Sequence, residues 1–181
     1  AWPKVTGDLN DGGLGFTMKW NMGWMNDFLD YMQYDPYFRA YHHNDLTFSM
    51  VYAYSEKFML VLSHDEVVHG KASMLSKMPG EEADKFANLR AGYGYMMTHP
   101  GKKLLFMGQD IAEYDEWNEE RGVEWELLKY DYHEQIRRFV KRLNELYRKN
   151  PALYAEDDSW DGFEWIDCID ANECTLSYLR K

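Results

Sequence analysis

The composition of this 181-residue chain excludes several classes of protein. Its 31 acidic and 20 basic residues give a net charge of −11, and the basic residues form no stripe, so no nucleic-acid partner is expected. No apolar run approaches the roughly 18 residues that span a bilayer, and the N-terminus lacks a signal-peptide pattern, so no membrane partner is expected. The length allows one domain but not a complete eight-unit α/β barrel of about 250 residues.

The two cysteines and the chain ends bear on cellular location and completeness. Cys168 and Cys174 lie close together, and nothing else in the sequence indicates a disulfide framework, so free thiols and a cytoplasmic location are expected. The chain starts at Ala1 without an initiator Met and ends directly after a strand-like run. We therefore expect both ends to be cuts within a longer protein.

The first third of the chain is predicted to contain a loop and two helices. Residues 1–15 are rich in Gly, Asp and Asn, which is typical of a loop. Apolar residues recur at helical spacing between Met22 and Met32, and Pro36 breaks the pattern, so a helix is expected there. A second, less regular helix is predicted to start near Asn44, a suitable N-cap.

The middle of the chain alternates strand and helix patterns. Residues 57–63 and 103–107 are short apolar runs, typical of strands buried on both faces of a parallel sheet. Residues 81–98 form an amphipathic helix pattern between them, and residues 131–149 give the clearest helix of the sequence. This alternation predicts right-handed βα units and therefore an α/β fold class.

The last segment changes character. Residues 162–168 and 174–179 are strand-like and flank a turn, which predicts a β-hairpin. We expect residues 156–181 to begin a separate antiparallel β domain, and residues 1–155 to belong to the α/β part.

A cluster of ionisable residues, His64-Asp65-Glu66, follows the first apolar strand directly. Ligands of α/β folds bind outside the carboxyl ends of strands, so this cluster is a candidate site. Acidic groups at such a position can hold hydroxyl-rich substrates or stabilise an oxocarbenium-like transition state. A solvated junction between strand and loop is the alternative interpretation.

A metal site is a further alternative, because His64, Asp65, Glu66 and His69 are all possible ligands. The two histidines are five residues apart, whereas a zincin helix needs histidines at i and i+4. A second Glu-x-x-His motif, which a di-iron bundle needs, is absent from the sequence. We therefore predict no metal and no cofactor.

Aromatic residues near the cluster are candidates for sugar binding. Trp117 and Trp125 lie in the long loop after the second strand, where indole rings either stack on sugar faces or pack in the core. Trp20 lies beside the first helix pattern, with the same two interpretations open.

Four blocks of the sequence are distinctive. They are Gly13-Leu14-Gly15-Phe16 through Trp24-Met25, Leu62-Ser63-His64-Asp65-Glu66-Val67-Val68-His69-Gly70-Lys71, Gly101-Lys102-Lys103-Leu104-Leu105-Phe106-Met107-Gly108, and Glu116-Trp117-Asn118. Together they resemble bacterial glycogen branching enzymes of the α-amylase superfamily. The His-Asp pair is shared by the whole superfamily, whereas its extension to Lys71 and the last two blocks are specific to branching enzymes.

The resemblance implies a (β/α)₈ TIM barrel, of which this chain would supply the last βα units, followed by the first hairpin of a C-terminal β domain. It also implies a retaining double displacement, in which an Asp nucleophile and an acid/base Glu act with a third carboxylate. The implied activity is transfer of an α-1,4-glucan segment to a 6-hydroxyl, which forms the α-1,6 branches of glycogen.

By resemblance, Asp65 is the third carboxylate, which stabilises the transition state, and His64 binds sugar hydroxyls beside it. Glu66, Lys71, Trp20 and Trp117 are the remaining candidates for substrate binding. The family's nucleophile and acid/base Glu would lie upstream of Ala1, so the chain alone is predicted to be inactive.

The expected partner is an α-glucan such as glycogen or an amylose-like chain. Two alternatives stay open: an α-amylase-type glycoside hydrolase and a non-catalytic glucan-binding fragment. Self-association through the incomplete barrel is also expected, because its strand edges would be open.

Overall fold

Helices and strands alternate through most of the chain, as its apolar periodicity predicts. The computed structural model describes residues 4–181, so the first three residues of the predicted loop lie outside the described residues. The helices are α1 (Met22–Gln33), α2 (Asn44–Thr47), α3 (Met74–Lys77), α4 (Glu82–Thr98) and α5 (Asp131–Lys149). The strands are β1 (Lys19–Trp20), β2 (Phe58–Leu62), β3 (Lys102–Leu105), β4 (Phe163–Asp167) and β5 (Ser177–Arg180).

Strands β1, β2 and β3 form one parallel sheet in that order, which confirms the predicted α/β class. Leu62 at the end of β2 lies opposite Leu105 at the end of β3, so both strands terminate at the same edge. Strand β1 was not predicted, because its two residues are too few to show a strand pattern.

The core lies between this sheet and the helices that follow its strands. Leu60, Val61 and Leu62 of the central strand are fully buried, as the continuous apolar run predicts. The helical stripes are buried too, with Trp24 and Phe28 on α1. Each such side chain stabilises the fold by about 1.5–3 kcal/mol. The other buried members on α1 and α4 are Met25, Leu29, Met32, Phe86, Leu89, Tyr93 and Met96.

The second predicted strand and the second predicted helix need correction. All four residues of β3 are only half-buried, because β3 has a neighbouring strand on one side alone among the described residues. Helix α2 spans only four residues and continues as a 3₁₀ turn over Phe48–Val51. Asn44 is its first residue rather than its cap. Aromatic and β-branched residues, which lose side-chain freedom in an α-helix, follow directly.

The C-terminal strands β4 and β5 pair antiparallel, with an irregularity between Trp165 and Asp167. Phe163 packs with Met50 and Ala53, so the pair covers the 3₁₀ turn that follows α2. Cys168 and Cys174 are both half-buried free thiols. Among residues 4–181, no helix is long and apolar enough to cross a membrane.

Candidate active-site cleft

The candidate cluster stands where β2 ends. The backbone leaves the strand at Ser63 and forms a single 3₁₀ turn over His64–Glu66, closed by a hydrogen bond from Val67 N–H to His64 O of 3.0 Å. The turn lifts two side chains out of the core, so that His64 is 46% and Asp65 52% exposed. His64 Nε2 lies 3.1 Å from Asp65 Oδ1, so the two side chains form a close pair at the edge of the sheet.

Two aromatic rings hold the imidazole of this pair. The ring centroid of His64 lies 5.7 Å from that of Phe106, which follows β3, and 6.0 Å from that of Trp117 in the long loop. Phe106 and Trp117 meet edge-to-face with centroids 5.2 Å apart. Trp117 thus packs against the core, as one of the two interpretations predicts, and it also lines the candidate site. Stacking on a sugar face stays a prediction.

The pair opens into a cleft of about 850 Å³, within the size range of ligand sites. Five of the seven candidate residues line it, namely His64, Asp65, Glu66, Lys71 and Trp117. The other two lie outside this lining: Trp20 on β1 is 42% exposed and Trp125 in the long loop is 62% exposed. Sequence reasoning assigned no role in substrate binding to the remaining lining residues, which are Met22, Val68, His69, Asp115, Glu116, Asn118, Glu119 and Arg121.

The cleft is acidic. Its lining carries five carboxylates and two cationic side chains, Lys71 and Arg121. Lys71 Nζ donates to Glu66 Oε1 at 3.4 Å, and Arg121 Nη1 to Asp115 Oδ2 at 3.2 Å, so both cations are already paired. The walls therefore offer many hydrogen-bond acceptors and disfavour a polyanion. A neutral ligand rich in hydroxyl groups suits such a surface.

Glu113, a further carboxylate near the cleft, belongs to a different environment. Its Oε1 accepts a hydrogen bond of 2.7 Å from the backbone N–H of Glu124, and burial raises the pKa of its side chain. It is not part of the cleft lining. Glu113 is therefore a structural carboxylate of the long loop.

The possible metal ligands of the sequence do not converge. His64 lies against Asp65, and His69 lines the same cleft. Among residues 4–181, no group of three or more His, Cys, Asp or Glu side chains is arranged to hold a metal ion. The arrangement of the described residues thus offers no donor set for a metal centre.

The chain matches proteins named 1,4-alpha-glucan branching enzyme GlgB along its length. It is 57% identical over 180 residues to that of Thermosynechococcus vestitus, covering 99% of this chain and 24% of the relative. It is 56% identical over 181 residues to that of Synechococcus elongatus, covering 100% and 23%. It is 59% identical over 180 residues to that of Thermobifida fusca, covering 99% and 24%.

Over its length the chain is therefore similar to a section of proteins of that name. It spans about a quarter of the length of these relatives. No family model matches the chain.

Sequence reasoning overlooked most of the cleft wall that the long loop forms, although the block Glu116-Trp117-Asn118 in that loop resembles branching enzymes and could have indicated it. All three residues line the cleft, together with Asp115 and Arg121 from the same loop. Only the tryptophan was given a role from the sequence, because an exposed indole suggests sugar stacking whereas a carboxylate in a polar loop suggests solvation. The loop's position opposite His64 is a property of the folded chain.

Proposed function

We propose that this chain is the section of a 1,4-α-glucan branching enzyme that carries its transition-state-stabilising aspartate, Asp65. The whole protein would cleave an α-1,4-glucan and transfer the released segment to a 6-hydroxyl, forming an α-1,6 branch. One observation carries the proposal. The close His64–Asp65 pair faces an acidic cleft at a strand end, in a chain that is 56–59% identical to proteins of that name.

The proposed chemistry is a retaining double displacement, which passes through an oxocarbenium-like transition state. Positive charge develops at the anomeric carbon, and an ionised carboxylate close to that carbon stabilises it. Asp65 suits this role because its carboxylate is exposed to the cleft and oriented by His64. The nucleophile and the acid/base Glu are proposed to lie outside this chain, as the family resemblance implies.

The proposed substrate is a neutral α-glucan. Its hydroxyl groups match the acceptor-rich walls formed by Glu66 and the other carboxylates, and Lys71 supplies a donor. The indole of Trp117, which lines the cleft, offers an apolar surface for a sugar ring. Trp20 stays a candidate only for a separate contact, because it lies outside the cleft lining.

We propose that the parallel sheet is part of a (β/α)₈ barrel. Each of β1, β2 and β3 is followed by a helix of at least twelve residues, namely α1, α4 and α5, which is the repeating unit of such a barrel. Residues 1–155 would then form the barrel part, and β4 with β5, within 156–181, would begin a β domain. The outer edges of β1 and β3 have no partner strand among the described residues, which supports self-association of the isolated chain.

A cytoplasmic location is part of the proposal. The two free thiols support it, because disulfides persist in oxidising compartments.

The test compares the full-length enzyme with the isolated chain. Each is incubated with amylose, and α-1,6 linkages are counted after debranching, with iodine staining as a second readout. We expect branching by the full-length enzyme and none by the isolated chain. Branching by the isolated chain would contradict the assignment of the two other catalytic carboxylates to another section.

Two further outcomes separate the alternatives. If the full-length enzyme releases reducing ends and forms no α-1,6 linkages, it is an α-amylase-type hydrolase. Maltooligosaccharide titration of the isolated chain, with and without Trp117→Ala, shows whether this section binds glucan unaided.

A further inference from the structure

Residues 67–72, three of which line the cleft, have an unusual backbone. Three of the four residues from 69 to 72 have positive φ angles: His69 at 56°, Gly70 at 82° and Ala72 at 65°. Glycine adopts this conformation freely, but in His69 and Ala72 the Cβ atom crowds the neighbouring carbonyl oxygen. Such strain persists only where surrounding contacts fix the backbone.

The carboxylate of Glu116 supplies two of those contacts. Its Oε2 accepts a hydrogen bond of 3.0 Å from Gly70 N–H, and its Oε1 accepts one of 2.6 Å from Ala72 N–H. Both oxygens are thus engaged with the amides on either side of Lys71. The same two bonds lower the pKa of Glu116, which keeps the carboxylate ionised and the bonds charge-assisted.

Trp117, which follows Glu116, binds the first residue of the segment 67–72. The backbone N–H of Trp117 donates to Val67 O at 2.9 Å, while the Trp117 ring packs against His64. Residues 116 and 117 together therefore connect the strained segment to the candidate catalytic pair.

The side chain that this arrangement orients is Lys71. Its Nζ reaches Glu66 Oε1 at 3.4 Å, and both side chains line the cleft. Lys71 is 49% exposed and is the residue between the two amides that Glu116 binds, so its direction follows from the backbone conformation of its neighbours.

We propose that Glu116 is a positioning residue: its carboxylate holds His69, Gly70 and Ala72 in the left-handed conformation, and this backbone directs Lys71 toward Glu66 and the bound glucan. Because the glucan is the ligand of the proposed function, this role in binding rests on that function. The role of Glu116 in fixing the backbone of residues 69–72 does not depend on that function, because it follows from contacts within the chain.

The experiment uses the full-length enzyme and the variants Glu116→Gln, Ala72→Gly and their combination. Glu120→Gln is the matched control, because Glu120 lies on the same loop, is exposed and lies outside the cleft lining. Hydrogen exchange is measured on peptides that cover residues 67–73. We expect Glu116→Gln to raise exchange there at least tenfold and Glu120→Gln to leave it unchanged.

The combined variant tests the reason for the effect. Glycine at position 72 removes the crowding at Cβ, so the segment keeps its conformation with fewer contacts. We expect Ala72→Gly to reduce the effect of Glu116→Gln at least threefold, a coupling that independent roles would not produce. Glu116→Asp, which keeps the charge but is one methylene shorter, should give an intermediate exchange rate.

Kinetics with amylose separate positioning from a general structural role. We expect Glu116→Gln to raise KM about fivefold, to change kcat less than twofold, and to leave Tm within about 2 °C of the parent enzyme. Additive effects of the two substitutions on exchange would overturn the proposal, as would an unchanged exchange rate in Glu116→Gln. If the parent enzyme does not act on glucan, the proposed function fails, while the exchange data still decide the role of Glu116.

Discussion

The two ends of the parallel sheet carry charged groups in opposite environments. At the carboxyl end, His64 and Asp65 form a pair that is about half exposed on each side. At the amino end, Arg180 and Asp157 form a pair whose side chains are only 4% and 10% exposed. Charges at the carboxyl end thus remain accessible to a ligand, whereas charges at the amino end hold parts of the fold together.

The amino-end pair joins three elements. Arg180 of β5 donates to Asp157 Oδ1 at 2.6 Å and to the carbonyl oxygen of Thr98 at the end of α4, at 2.9 Å. Lys102 of β3 donates to the other carboxylate oxygen at 3.0 Å. Burial opposes ionisation of Asp157, but Lys103, Arg180 and Lys102 lower its pKa below the ordinary value. The network therefore fixes the C-terminal strands to the sheet.

Burial at the amino end also disfavours the charged form of Lys103. Burial lowers the pKa of its ammonium group to about 7. The backbone carbonyls of His99 and Gly101 accept its hydrogen bonds, and Tyr147 lies below it with the ring centroid 5.6 Å from Nζ. The pairs His64–Asp65 and Arg121–Asp115 at the carboxyl end are about half exposed, so burial does not disfavour their charges to the same extent.

The largest expected effect is at the carboxyl end. In the full-length enzyme, Asp65→Asn should lower the branching rate about 10³-fold, because the amide cannot stabilise the developing positive charge. The free energy of unfolding should change by less than about 0.5 kcal/mol, since the side chain is exposed. The branch-counting assay and urea unfolding measure the two effects. Asp158→Asn, an exposed aspartate near the opposite end, is the control, and an equal loss of activity in it would refute the assignment.

The second effect is on stability at the amino end. Asp157→Asn leaves Arg180 and Lys102 without their shared counter-ion, so the free energy of unfolding should fall by about 3 kcal/mol. Urea unfolding of the variant, with Asp158→Asn as the matched control, measures this loss. A change as small as that of the control would show that the buried network does not stabilise the chain.

A third effect depends on pH. Glu56 precedes β2 and accepts hydrogen bonds from Val5 N–H and Thr6 N–H, both at 2.8 Å, and from Lys19 Nζ at 3.3 Å. Burial opposes its ionisation, but the bonds from Thr6, Val5 and Lys19 overcome this and lower its pKa from 4.5 to about 2. Its stabilising contribution is therefore complete above pH 4.5 and is lost as the pH falls toward 2.

We expect Glu56→Gln to lower the free energy of unfolding by about 2 kcal/mol at pH 7, because charge-assisted hydrogen bonds are lost. The difference from the parent chain should vanish near pH 2. Unfolding curves at pH 7, 4 and 2.5 measure it, with the exposed Glu119→Gln as control. A difference that stays constant with pH would exclude an ionised Glu56 as the cause.

The smallest effect is expected from an ion pair at the carboxyl end. Arg121 and Asp115 are 54% and 60% exposed and their charged atoms are 3.2 Å apart. Arg121→Ala should change the free energy of unfolding by less than about 0.5 kcal/mol, because water screens exposed pairs. Urea unfolding of Arg121→Ala and of Asp157→Asn, measured side by side, compares an ion pair at each end of the sheet. If both variants lose a similar free energy of unfolding, the two ends do not differ in the way proposed.

The parts of the fold that could be predicted are those with a long or continuous pattern. The helix over Asp131–Lys149 was predicted with its bounds, and β2 was predicted to within one residue at each end. The 3₁₀ segment Pro36–His42 was missed because it has no helical stripe to recognise. Strand β1 was missed because only its neighbour β2 makes it a strand.

The candidate site could be predicted in part for the same reason. Asp65 was found because a polar cluster directly after a buried strand is a local pattern. The contact between His64 and Trp117 joins residues 53 positions apart, and the bonds from Gly70 and Ala72 to Glu116 join residues 46 and 44 apart. No local pattern contains these pairs.

The sequence by itself determined where the helices and the central strand form and which residues stand at the strand end. These depend on periodicity and on neighbours within a few positions. Only the tertiary structure decided that the loop carrying Glu116 and Trp117 closes the cleft, that Trp20 lies outside it, and that Asp157 is buried while Asp65 is exposed. The path of a loop and the burial of a charge depend on packing between distant segments, which residue spacing does not encode.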